Sequence, residues 1–285
     1  MFPGAHLHAL AWTAGALLWV WLCGRAIADS ARGRDGRAPR GARLLPLAAA
    51  AATWVGARVH FLLAAPEAIG DSLRGGRVID LVAGTGLRIG GGLVLGAAVL
   101  AALAPTATVG RLSRLATLDR AAPLAGVAVA LGRVGCWADG CCFGLPCPYA
   151  WCVVFPPGSP AYWSQIARGL IPDRAPHALP VHPLQLHLGI AALLATLLAR
   201  AVSQRSPADG VPLATFVAIM AASRLLLERL RETAFGLAVP AQTELDVLLL
   251  AGSVVFLRGR RQRRAGDGPP TNDESVPSRP GIPTA

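Results

Sequence analysis

The sequence predicts an all-α, polytopic membrane protein of seven transmembrane helices, with its N-terminus outside and its C-terminus in the cytoplasm. Three observations carry that prediction. Of 285 residues, 53% are hydrophobic and only 15% are charged, with 32 glycines beside them, whereas a soluble domain carries about 25% charged residues. The apolar residues gather in runs of the roughly 17–25 residues that a helix needs to cross a bilayer. The basic residues, all arginine, fall unevenly on alternate loops between those runs. Composition excludes a disordered or collagen-like chain, and six cysteines in a chain this long exclude a miniprotein held together by disulfides.

In chain order the runs are Leu7–Ala28, Leu44–Ala65, Leu87–Ala104, Ala121–Ala138, Leu184–Val202, Val211–Leu227 and Val239–Leu257. The last crosses only with Glu244 and Asp246 near its outer end. Connections are short except at 139–183. Orientation follows from arginine, because basic loops stay on the cytoplasmic side. Arg32, Arg34, Arg37, Arg40 and Arg43 follow the first run, Arg111, Arg114 and Arg120 the third, Arg200 and Arg205 the fifth, and Arg258, Arg260, Arg261, Arg263 and Arg264 the seventh. The opposite loops hold only Arg74 and Arg77, Arg168 and Arg174, and Arg229 and Arg231. The net charge of +11 is therefore mostly topogenic and no nucleic-acid partner is expected. A removable signal peptide is not expected either, since residues 1–6 carry no basic n-region, and Trp21-Leu22 before Cys23 is too bulky for small-residue cleavage. Residues 1–258 form one transmembrane domain on this reading, and 259–285 a basic and then disordered cytoplasmic tail, rich in Pro, Gly, Asp and Ser.

Four arginines do not fit topology: Arg58, Arg88, Arg133 and Arg224 lie within the runs or at their ends. An arginine at mid-bilayer costs at least about 2.5–3.5 kcal/mol, so it faces a cavity, a partner or a ligand unless it snorkels to the interface. Snorkelling suits Arg88 as well as function does; for the deeper Arg58 and Arg133 it is harder, and a functional role is favoured over it. Arg224 shares a helical face with Glu228 and Arg231, so an Arg224–Glu228 ion pair competes with a ligand role. Deep cations outnumber deep acids. The abundant anion at that depth is a phospholipid phosphate, which the planar guanidinium fork grips in bidentate fashion.

The densest unusual stretch runs from Gly132 to Pro146, GRVGCWADGCCFGLP, followed by Trp151-Cys152-Val153-Val154-Phe155-Pro156 and by His182-Pro183-Leu184-Gln185-Leu186. Four glycines there permit close backbone approach and an irregular helix end, which is tolerated at membrane depth where it lines a cavity. A polar pocket at the outer leaflet is expected, with Arg133 at its base. Cys136, Cys141, Cys142, Cys147 and Cys152 are spaced by five, one, five and five, unlike the paired spacing of structural zinc or of a thioredoxin-like centre. Disulfides bracing 139–183, a reactive thiol pair and a metal site are the open readings, with disulfides first in an oxidising outer compartment.

The chain resembles the prolipoprotein diacylglyceryl transferases. The resemblance is carried by Gly-Arg-x-Gly-x4-Gly around Arg133, by Trp-x-Val-x-Phe-Pro at 151–156, by His-Pro-x-Gln-Leu at 182–186 and by Arg-x3-Glu-x2-Arg at 224–231. Gly56-Ala57-Arg58, the pair Gly91-Gly92 and Gln242 extend it over about residues 7–257. It implies transfer of a diacylglyceryl group from phosphatidylglycerol to the lipobox cysteine of prolipoproteins, at the outer leaflet of a bacterial plasma membrane and without a cofactor or metal. Arg133 and Arg224 would hold the phosphate leaving group on one shared site, within about 10 Å of each other. Arg58, Gly91, Gly92, Gly144, Gln185 and Glu228 would line the lipid site. The family usually has His at the position of Gly90, Asn at Cys136, Glu at Cys141, Tyr-Glu at His187-Leu188 and Tyr at Met220. A base for the acceptor thiol would then come from His182, His187 or His60. The alternatives are a non-catalytic phospholipid-binding protein of the same fold and a membrane thiol–disulfide protein.

Overall fold

The computed structural model describes residues 4–76, 79, 81, 89–205, 208–231 and 240–266. Their regular elements are all helices, with no strand among the described residues. The helices are α1 (Gly4–Ser30), α2 (Arg40–Ala64), α3 (Glu67–Arg74), α4 (Ile89–Ala107), α5 (Arg114–Asp139), α6 (Pro160–Ala167), α7 (Leu184–Arg205), α8 (Val211–Glu228) and α9 (Pro240–Gly266). Six of these, α1, α2, α4, α5, α7 and α8, are long and apolar enough to cross a membrane. The seventh expected span is also a helix, α9, and it continues through the basic stretch to Gly266.

Several helices outrun their apolar runs. The run marks only what lipid must cover, whereas the helix ends where its last backbone groups find partners. α5 begins seven residues before Ala121, because the Ser113 hydroxyl caps it by accepting the Ala116 N–H at 3.0 Å. It ends where left-handed Gly140 (φ 75°) sends its N–H back to Trp137 O.

α5 is the axis of the bundle. α1 lies along one side of it, α7 along another and α8 on a third; α2 pairs with α4, and α9 with α8. Leu17, Leu63, Leu197, Leu226 and Leu248 are exposed, while many inward positions are small: Ala28, Ala31, Ala42, Ala49, Ala104 and Ala121 share one buried cluster with Ile27, Leu45, Leu100 and Leu112. In lipid the large apolar side chains have no reason to turn inward, and small ones let helices approach. At Gly126 a Cβ would stand 2.5 Å from Ala192 O of α7.

The arginine-rich loops meet at one end. Arg111 donates to Ala31 O (3.0 Å) and Arg37 O (3.3 Å), Ser113 bonds Asp209 at 2.5 Å, and Arg260 donates to Asp209 O at 3.0 Å. Asp119 of α5 accepts the N–H groups of Gly210 (2.6 Å) and Leu213 (2.9 Å), so one helix caps the N-terminus of another. Arginines expected to act only through topology thus also tie the loops together.

The far end of α5 carries a folded cap, residues 140–183. It has its own core of Phe143, Phe155, Tyr162, Ile171, Ala178 and Val181. Ser159 caps α6 by accepting the Tyr162 N–H at 3.2 Å, with Pro160 in its first turn. The Gln165 amide bonds both backbone groups of Leu179, and the Tyr162 hydroxyl reaches the carbonyls of Asp173 and Ala175. Tyr149, Trp151 and Trp163 stand exposed on this cap, where amphipathic rings suit a membrane–water boundary.

Candidate functional site

The end of α5, the cap and the start of α7 bring together most of the residues singled out in the sequence. Arg133 faces α7 at Gly189, where a Cβ would lie 3.5 Å from that of the arginine. Its Nε is buried and has no hydrogen-bond partner among the described residues. One turn back along the same face of α7, buried Gln185 donates to Cys141 O at 2.5 Å and leaves its Oε1 unpaired. His187 Nδ1 is also buried without a partner. Each such orphaned atom is uncommon, because a buried group without a partner costs about 1–3 kcal/mol.

Backbone folding makes the approach possible. Cys141 N–H reaches back to Cys136 O at 3.1 Å, closing the end of α5. Gly140 and Cys142 (φ 55°) are both left-handed, which turns the chain so that Cys141 and Cys142 return to the side of Cys136. Hydrogen bonds from the Cys136 and Cys141 side chains, with Arg133 and Arg231 nearby, hold the Cys142 thiol well below its ordinary range. The neighbouring Cys136 and Cys142 side chains, together with burial, push the Cys141 thiol up. Cys147 and Cys152 are joined as a disulfide with Cα atoms 6.2 Å apart, while Cys136, Cys141 and Cys142 are free.

Gly144 sits where a side chain would collide, 2.7 Å from both His182 Cβ and Leu230 O. Gly144 N–H donates to His182 O and Leu145 N–H to Leu230 O, each at 2.9 Å. This pairing stitches the cap to the end of α8 and carries Arg231 toward the thiols. The His182 ring lies 6.3 Å from that of Tyr149, which stacks on Trp151 at 4.6 Å.

Arg224 requires a correction. Its acid partner is Asp246 of α9, not Glu228: Nε donates to both carboxylate oxygens at 2.9 and 3.1 Å. Glu228 bonds Arg231 instead, at 3.4 Å. Asp246 occupies one edge of the guanidinium, and the terminal nitrogens have no protein partner among the described residues. α5, which carries Arg133, and α8, which carries Arg224, are in contact. The Asp246 pair was open to discovery, since an acid inside an apolar helix calls for a cation.

Arg58 is buried; its Nε donates to Leu81 O at 2.9 Å and its guanidinium lies 5.2 Å from the Phe61 ring. The glycine pair seats α4 on α2: a Cβ at Gly91 would lie 2.7 Å from Gly56 O, and one at Gly92 2.4 Å from Thr53 O. The Gly91 N–H donates to His60 Nδ1 at 3.0 Å, a contact that nothing in the spacing announces. Arg88 and the Gln242 side chain lie outside the described residues.

The sequence profile of the prolipoprotein diacylglyceryl transferases matches residues 4–258, nearly the whole helical bundle. The chain belongs to that family. Among curated proteins, no sequence matches it. The diacylglyceryl transferase family acts in lipoprotein biosynthesis, and six apolar helices fit its members' multi-pass place in a membrane.

Proposed function

We propose that this transferase moves the diacylglyceryl group of phosphatidylglycerol to the lipobox cysteine of prolipoproteins. The reaction takes place at the outer leaflet of a bacterial plasma membrane, in a bundle of seven spans with the N-terminus outside and the C-terminus inside. The observation that supports this reading is the buried Nε–H of Arg133, a permanently charged donor without an acceptor among the described residues, which a lipid phosphate would complete. Arg224, oriented by Asp246, offers its terminal nitrogens to the same phosphate.

The acceptor sulfur, as thiolate, attacks the glyceryl carbon and a C–S bond forms. The C–O bond to phosphate breaks, and glycerol phosphate leaves with the electron pair. Arg133 and Arg224 offset the charge that grows on the departing phosphate. The thiol proton passes to a base. His187, whose buried Nδ1 is unpaired, takes that role, with His182 beside it at the start of α7. Arg58, Gly91, Gly92, Gly144, Gln185 and Glu228 shape and line the lipid site.

Complementation of a strain depleted of its own transferase tests this. Arg133→Ala should insert normally and lose lipid transfer by a factor of about 10²–10³, the usual loss for one charge-stabilising donor. Arg133→Lys should rescue only in part, because an ammonium lacks the bidentate fork. Full transfer by Arg133→Ala would overturn the mechanism.

A further inference from the structure

The spacing of the cysteines in the chain argued against a metal, but the fold adds a ligand from elsewhere. Gly135 lets α1 lie against the last turn of α5: a Cβ there would stand 2.6 Å from Ala11 Cβ and 3.1 Å from His8 Cα. His8 is thereby set beside Cys136. The left-handed residues Gly140 and Cys142 fold Cys141 back onto the same spot. One ring nitrogen of His8 and the sulfurs of Cys136 and Cys141 all lie within 4.8 Å of one another. Cys142, the next residue in the chain, lies outside that trio but is also a free thiol. The disulfide is formed by the other two cysteines of the segment, so these three thiols are free.

We propose that His8, Cys136, Cys141 and Cys142 bind one thiophilic divalent cation of the zinc class. Three sulfurs and an imidazole are a complete ligand set for tetrahedral zinc, and bond lengths of about 2.3 Å to sulfur and 2.0–2.1 Å to nitrogen put such donors about 3.6–3.8 Å apart. Closing the observed cluster to that size requires shifts of about 1 Å. Three thiolates around a divalent ion leave a net negative site, and Arg133 and Arg231 adjoin it. The bound ion fixes α1 to the turn whose Cys141 carbonyl receives Gln185. It therefore holds the wall of the pocket next to Arg133.

The test is metal binding by the full-length protein in detergent, reduced and stripped of metal, with Co²⁺ as the probe. One equivalent should produce a sulfur-to-cobalt charge-transfer band and the visible bands of a tetrahedral ion, both removed by Zn²⁺. Cys136→Ser, Cys141→Ser and Cys142→Ser should each lower the charge-transfer band by about a third or more. His8→Ala should keep the band but weaken binding by at least about tenfold. Cys147→Ser/Cys152→Ser should titrate like the wild type, which shows that loss of a cysteine elsewhere is not the cause. No charge-transfer band in the wild type, or an undiminished band in Cys141→Ser/Cys142→Ser, overturns the proposal. So does a peptide from the unreduced protein with Cys136 and Cys141 joined by a disulfide. The readout does not involve lipid transfer, so failure here leaves the reading of Arg133 standing.

Discussion

Removing Asp246 isolates the contribution of its ion pair with Arg224, between α8 and α9. Arg224 Nε lies 2.9 and 3.1 Å from the two oxygens of Asp246, and the side chains are 25% and 11% exposed. Exposed pairs are worth about 0–1 kcal/mol, whereas breaking a buried one costs about 3–5 kcal/mol. The intermediate exposure sets the expected coupling near 2 kcal/mol, about thirtyfold in the folding equilibrium. The assay is a double-mutant cycle of Asp246→Ala and Arg224→Ala, unfolded reversibly in mixed micelles by a denaturing detergent. Each single change should destabilise clearly, and the double change little more than the worse single one. Asp246→Asn, which keeps the shape and drops the charge, should fall between wild type and Asp246→Ala. Effects that add to within about 0.5 kcal/mol would show that the pair does not couple the two helices and would refute the reasoning.

Three further outcomes are expected. Gly135→Val should destabilise the protein by about 1–3 kcal/mol through overpacking against α1, while Gly189→Ala, which meets nothing closer than 3.5 Å, should melt like the wild type; equal melting of all three would contradict the packing. Cys147→Ser should release one thiol at Cys152, visible as an added maleimide label on the unreduced protein, and lower stability by about 2 kcal/mol, the chain-entropy value for so short a loop; labels mapped to Cys147 and Cys152 in the unreduced wild type would remove the disulfide. Reporters fused at residues 36, 116 and 265 should all report cytoplasm, since the loops that meet at that end carry most of the arginine; one external result breaks the orientation.

The spans were legible because a run of about twenty apolar residues leaves a chain in lipid little choice but a helix. Helix ends were less so: Ser113 and Gly140 extend α5 beyond its apolar run through hydrogen bonds that hydropathy does not register. The Ser159-Pro160 start of α6 is written in local capping chemistry, whereas the core it closes depends on Phe143, some sixteen residues away. Arg133 stood out by position alone, because a deep arginine is costly wherever it points. The partner of Arg224 did not, since helical spacing proposes neighbours only within one helix and Asp246 is 22 residues on, in another. His8 was hidden in the same way: its nearness to Cys136 depends on how α1 crosses α5, which no linear spacing records.

The bond between the Gly91 N–H and His60 Nδ1 fixes which tautomer that imidazole adopts. A ring nitrogen that accepts an amide proton uses its lone pair, so the neutral ring carries its own proton on Nε2. His60 therefore presents an N–H and no free basic nitrogen. It can hydrogen-bond an ester carbonyl or phosphate oxygen brought to the α2–α4 contact, but it cannot take a proton from a thiol there without first giving up the start of α4. Backbone geometry thus leaves α2 a donor, and leaves the acceptor's part in the proposed reaction to a histidine elsewhere.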